Sequence, residues 1–127
     1  MRRHVLRAKV HRAMVTEVDL EYEGSLGMDV DLMKAARMVP FEKIDVYNLA
    51  NGNRFSTYVI PLKGGSGRIS VNGAAAHLAR PGDRVIIASY AALEEQELDR
   101  HRPVILLVDE KNRVRRDKLA VAGLRGE

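Results

Sequence analysis

The chain has 127 residues, 46% hydrophobic and 30% charged, the balance of a globular protein rather than a disordered one. That length fits one domain with one core, and no run approaches the roughly 18 apolar residues needed to span a bilayer. Cysteine is absent, which excludes disulfides and thiolate chemistry, and 21 basic against 17 acidic residues leave a net charge of +4 that suits anionic partners without choosing among them.

The N-terminus is basic, and Arg7, Lys9 and Arg12 interrupt any signal-peptide core, so a cytoplasmic location is expected. Residues 5–10 read as a short strand. Thr16, Val18, Leu20 and Tyr22 alternate with Glu17, Asp19, Glu21 and Glu23, which predicts a half-buried strand ending at Gly24-Ser25. Leu32, Ala35, Ala36 and Val39 fall at helical spacing and predict a helix over 29–38, with Asp29 as N-cap and Pro40 as its stop.

Residues 44–49 and 55–60 read as strands joined by an Asn51-Gly52 turn. A flexible Gly64-Gly65-Ser66-Gly67 loop leads to an extended 68–71, and Asn72-Gly73 opens a short Ala-rich helix over 74–79. Pro81-Gly82-Asp83 turns the chain into an apolar strand at 85–89. Residues 91–100 suggest a helical turn, 104–108 a last clear strand, and Val114 a further short one. Many short strands with tight turns and two short helices point to a small, mainly β barrel rather than a doubly wound sheet.

Three segments carry chemistry. In a regular strand Arg54 and Tyr58, four residues apart, face the same way. A guanidinium and a phenol on one face suit a carboxylated substrate, because arginine holds a carboxylate bidentately. Asn72-Gly73-Ala74-Ala75 reads as a helix entry whose free amides and small side chains admit an anionic group. Tyr22-Glu23-Gly24-Ser25, taken alone, is a turn after a strand.

Taken together, Tyr22-Glu23-Gly24-Ser25, Arg54-Phe55-Ser56-Thr57-Tyr58 and Ser70-Val71-Asn72-Gly73-Ala74-Ala75-Ala76-His77 resemble the aspartate 1-decarboxylase family, in register over residues 4–103. The resemblance implies a small double-psi β-barrel with short helices. It also implies self-cleavage between Gly24 and Ser25 into chains 1–24 and 25–127. The Ser25 hydroxyl would attack the Gly24 carbonyl, exchanging amide for ester, and β-elimination would leave dehydroalanine, which hydrolyses to a pyruvoyl ketone. Glycine suits the first step, having no Cβ to block the approach. The pyruvoyl group would be the only cofactor, forming a Schiff base with L-aspartate and absorbing the electrons released with carbon dioxide.

On the same resemblance Tyr58 returns the proton, as a phenol that stays protonated at neutral pH. Lys9, Arg54, Thr57, Asn72, Gly73, Ala74 and Ala75 would bind substrate. The product would be β-alanine for pantothenate synthesis, made by a homotetramer with sites at subunit interfaces. Thr57 poses a problem, since a flat strand turns it away from Tyr58; a strand end, a bulge or a site shared between subunits would reconcile them.

The competing reading is a basic nucleic-acid-binding β-barrel without self-processing. Only six aromatic residues are present, which leaves few stacking platforms. His4, His11, His77 and His101 lack paired-ligand spacing, so no metal site is expected, nor any membrane partner. The tail, rich in Arg113, Arg115, Arg116 and Lys118, is expected to fray beyond about residue 117.

Overall fold

A computed structural model describes residues 1–115, so the expected fraying of the tail lies outside the described residues. Eight strands and one α-helix follow in order: β1 (Arg2–Met14), β2 (Glu17–Asp19), β3 (Ser25–Asp29), α1 (Val30–Ala35), β4 (Lys43–Asn48), β5 (Arg54–Leu62), β6 (Ile69–Asn72), β7 (Arg84–Glu94) and β8 (Val104–Leu107). Two 3-10 helices, Gly73–Leu78 and Glu95–Arg100, flank β7. The protein is mainly β, as its turn-rich sequence predicts.

All eight strands join one sheet in the order β2-β6-β3-β5-β4-β7-β1-β8. The pairs β2–β6, β3–β5 and β1–β8 are parallel and the other four are antiparallel. β2 and β1 stand near opposite ends of that order, yet only Val15 and Thr16 separate them in the chain. Val15 N–H donates to the Asp83 carbonyl at 2.9 Å and Thr16 N–H to the Ile69 carbonyl at 2.8 Å. The sheet therefore curls until its ends approach, which makes it barrel-like.

Side chains alternate across each strand, and one set fills the interior. Ala8 and Val10, Leu26 and Met28, Ile44 and Val46, Val59, Ile69 and Val71, and Val85 and Ile87 are all buried in one cluster. By the same alternation Lys9, Ser25, Tyr47, Arg54, Tyr58, Ser70 and Asn72 belong to the outer face. The functional candidates thus sit on the outside of the barrel wall.

Several elements differ from the sequence reading, each for a local reason. The first strand runs far beyond residues 5–10 and carries two register shifts, at Arg7 and at His11-Arg12, where Arg12 takes a φ of 66°. The alternation over 16–23 builds only the three-residue β2. Beyond it Leu20 and Tyr22 are 52% and 53% exposed, because Asp19 Oδ1 accepts the Glu21 N–H at 3.0 Å and turns the chain away from β6.

Asp29 caps α1 as expected, accepting the Asp31 N–H at 2.8 Å. The helix ends well before Pro40, where Arg37 enters the left-handed region at φ 58°. The Ala-rich segment is 3-10 rather than α. β7 extends through residues expected to be helical and stops at Glu94, which forms a reciprocal capping box with Glu97. Val114 forms only an isolated bridge to Val108.

Candidate active site

Ser25 opens β3 and pairs with Asn72 at the end of β6. In the parallel β3–β5 ladder Leu26 lies level with Val59, so one step back sets Ser25 beside Tyr58. Tyr58 in turn pairs with Lys43 of β4. One row of the outer face therefore reads Asn72, Ser25, Tyr58, Lys43.

At Ser25 the polar groups are enclosed. Ser25 is 1% exposed, Asn72 4% and Ser70 5%. The Ser25 hydroxyl donates to the Glu23 carbonyl at 3.1 Å and accepts from Asn72 Nδ2 at 3.0 Å. Ser70 Oγ donates to Asn72 Oδ1 at 2.7 Å. The result is a directional chain from Ser70 through Asn72 and Ser25 to the backbone just before Gly24. Asn72 stands at the N-cap of the 3-10 helix but makes no capping bond, its amide being turned to the two serines instead.

Gly73 shapes the same place. At φ 70° it occupies a conformation that favours glycine, and a Cβ there would fall 2.7 Å from both Gly24 N and Gly24 Cα. The bare backbone at 73 lets residues 22–24 lie against it. Gly24 has open space around its own Cα, and its residue is exposed. The junction is thus a buried serine behind an accessible glycine. Beside it, Tyr22, Ile60, Leu62 and Asn72 line part of a groove of about 240 Å³. Ala74 is exposed, and Ala75 is half-buried and packs partly against the core.

A second part of the outer face is open and cationic. The β4–β5 register is unbroken from Lys43–Tyr58 to Tyr47–Arg54, so Arg54, Ser56 and Tyr58 share one side of a regular strand. The Arg54 guanidinium carbon lies 4.6 Å from the centre of the Tyr47 ring. The Tyr47 and Tyr90 hydroxyls are 2.9 Å apart. That hydrogen bond, followed by burial, pushes the Tyr47 phenol up to about 12, which keeps it protonated at neutral pH. The Tyr58 ring lies 6.1 Å from that of Phe41.

The same unbroken register places Thr57 on the opposite side, with Phe55 and Val59. Neither a bulge nor a strand end intervenes, so within one chain Thr57 does not meet Arg54 and Tyr58. Lys9 is also apart. Its row runs through Ala88 and Asp45 to Ser56, three strand spacings, or about 14 Å along the sheet. Near it, His11 has a lowered pKa, first from burial and then from Lys9 and Arg12.

The sequence reading missed Ser70, Tyr47 and Tyr90. Ser70 carries a legible signal, since it precedes Asn72 by two residues on a strand. The tyrosine pair carries none, its members being 43 residues apart in sequence and standing on adjacent strands without being register partners, since Tyr47 pairs with Ile86.

Fold and site define a class: a small barrel with mixed strand pairing, a buried serine behind a glycine, and a phenol and guanidinium suited to a carboxylated substrate. The sequence profile of aspartate decarboxylase matches residues 1–115. The chain is 59% identical over 114 residues to an aspartate 1-decarboxylase of Hydrogenobaculum sp., covering 90% of each chain. It is 53% identical over 118 residues to that of Ralstonia nicotianae, covering 93% of this chain and 98% of the relative. Against that of Bordetella avium it is 54% identical over 115 residues, 91% and 94% of the two chains. The chain belongs to the aspartate decarboxylase family.

Proposed function

We propose that this protein decarboxylates L-aspartate to β-alanine and carbon dioxide, with a pyruvoyl group that it makes from its own Ser25. Family membership along nearly the whole described chain supports the reaction. The observation that carries the cofactor is the junction itself, where an accessible Gly24 meets a buried Ser25 whose hydroxyl is oriented by Glu23 and Asn72. The residues present fit such a group. Gly73 leaves a cradle that a Cβ would fill, and the Asn72 amide offers a donor where oxygen must be held.

Once formed, a pyruvoyl ketone supplies the electron sink that decarboxylation of an α-amino acid needs. The chain's own groups do the rest. Arg54 holds a substrate carboxylate, and Tyr47 backs its guanidinium with a ring face. Tyr58, lateral neighbour of Ser25, hands its phenolic proton to the carbon that loses carbon dioxide. Asn72, Gly73 and Ala74 form the wall beside Ser25, with Ala75 behind them.

Lys9 and Thr57 complete the site only if another copy supplies them, since one chain holds Lys9 strands away and turns Thr57 to the other face. This supports sites shared between subunits, in the homotetramer that the family resemblance implies. A cytoplasmic role in pantothenate synthesis follows from the product's chemistry and the family. Family membership does not favour the nucleic-acid-binding alternative. The test is to incubate the purified protein with L-aspartate and measure β-alanine and carbon dioxide. Formation of both, absent from Ser25→Ala, is expected; equal turnover by the variant would remove Ser25 from the reaction.

A further inference from the structure

Three bonds between heavy atoms break when Gly24-Ser25 becomes a ketone. The acyl shift breaks the amide C–N bond, the elimination breaks the Cβ–Oγ bond of Ser25, and hydrolysis of the dehydroalanine breaks its Cα–N bond as ammonia leaves. Building on the self-processing proposed above, we infer that Asn72 serves the second break, and that Ser70 is the positioning residue that aims it.

The argument starts from where the donor points. A donor that stabilises the tetrahedral stage of an acyl shift must meet the carbonyl oxygen. Asn72 Nδ2 instead meets Ser25 Oγ, the attacking atom, at 3.0 Å. In the shift Oγ gains a bond to carbon and gives up electron density, so a donor there helps little. In the elimination the same atom collects charge. Water admitted at the exposed Gly24 takes the Ser25 Cα proton, the C–H electron pair becomes the Cα=Cβ bond, and the Cβ–Oγ bond breaks. Its pair moves onto Oγ, which leaves as an oxygen of the Gly24 carboxylate, with no change of oxidation state overall. A hydrogen bond to Oγ strengthens through that step, which is the condition for accelerating it.

Three observations hold the amide in this sense. The Ser25 proton is engaged by the Glu23 carbonyl, leaving Oγ free to accept. The Ser70 hydroxyl donates to Asn72 Oδ1 at 2.7 Å, turning Nδ2 toward Ser25. The Asn72 side chain forgoes the capping bond open to it. Ser70 and Asn72 face the same way on β6, and both are buried beside Ser25, so a lost bond is not readily replaced by water.

The experiment follows processing of the full chain in wild type, Asn72→Asp, Ser70→Ala, Ser70→Thr and Ser25→Ala, with neutral hydroxylamine as a probe of ester. Hydroxylamine cuts an ester at Gly24 into a 1–24 hydroxamate and a 25–127 chain that keeps its serine. Only cuts after Gly24 count, since Asn51-Gly52 is itself sensitive to the reagent. In Asn72→Asp, pyruvoyl chain should form about a hundredfold more slowly, while hydroxylamine-cleavable chain accumulates. Ser70→Ala should do the same more weakly, and Ser70→Thr should restore wild-type behaviour.

Asn72→Asp that matches the wild-type melting temperature but resists hydroxylamine, as Ser25→Ala does, would overturn the assignment by placing Asn72 before the ester. Processing at the wild-type rate would overturn it as well. If Asn72→Asp fails to fold, Ser70→Ala decides alone: ester accumulation supports the proposal and its absence refutes it. A wild-type chain that never cuts would instead remove self-processing itself.

Discussion

The outer wall of this barrel holds two regions of opposite character. Around Ser25 the polar groups are buried, neutral and joined end to end, all within one chain. Around Arg54 they are exposed, cationic and aromatic, and the basic residue expected to join them, Lys9, lies strands away. A reaction on the chain's own backbone needs only groups that the fold fixes rigidly, and low exposure holds their bonds without competition from water. Capture of a small anion needs an open approach and charge from more than one direction. On the function proposed above, the difference separates two tasks: making the catalyst would need only groups one chain holds together, whereas using it would draw on groups that one chain keeps apart.

The largest effect should come from the closed region. Ser25→Ala should remain a single uncut chain with no measurable β-alanine formation, read by gel and product assay. Cutting at 24–25 in that variant would break the assignment of the closed region to processing.

Next come Tyr58 and Lys9, which test whether use is shared. Tyr58→Phe should cut normally and lose about a hundredfold or more in kcat, the usual cost of losing a positioned acid. Lys9→Ala should also cut normally and turn over poorly. Co-expressing the two should restore part of the activity if one site draws on different chains. No recovery in a confirmed mixed assembly would confine the site to one chain.

Within the open region the effects should grade by contact. Arg54→Ala should raise KM about a hundredfold with little change in kcat, as expected when a paired charge loses its partner. Tyr47→Leu removes only the ring face under the guanidinium and should raise KM about threefold. Equal effects from the two would show that Tyr47 does more than support Arg54.

The smallest effect concerns stability. Burial and its cationic neighbours lower the His11 pKa in the fold, so below about pH 6.5 the unfolded chain binds more protons there than the folded one. Stability from this residue is present above that pH and is lost as pH falls through the folded value. Melting curves between pH 7 and 5 should therefore decline less steeply for His11→Gln than for wild type; parallel curves would contradict this.

How much of this was legible in the sequence depended on how local the signal was. Asp29 as a helix cap, Asn51-Gly52 as a turn, and Arg54 with Tyr58 on one strand face follow from spacing over a few residues, and the structure keeps all three. The alternation over 16–23 misled, because a strand also needs a neighbour, and β6 offers one for only three residues. Thr57 could not be reconciled from sequence because the answer depended on an unbroken ladder with β4. Tyr47 and Tyr90, and the separation of Lys9 from Ser25, exist only in the strand order, which no short-range pattern encodes. Ser70 was readable as the same-face neighbour of Asn72, but an outward serine on a strand is too common to stand out.

The most direct test of the account is the intact mass of the purified protein under denaturing conditions. It predicts two fragments divided between Gly24 and Ser25, the larger about 17 Da lighter than a chain beginning with serine, from loss of ammonia. A larger fragment at the unmodified serine mass would mean simple hydrolysis with no catalyst made. A single full-length mass that persists on prolonged warm incubation, with no β-alanine formed from L-aspartate, would contradict the account.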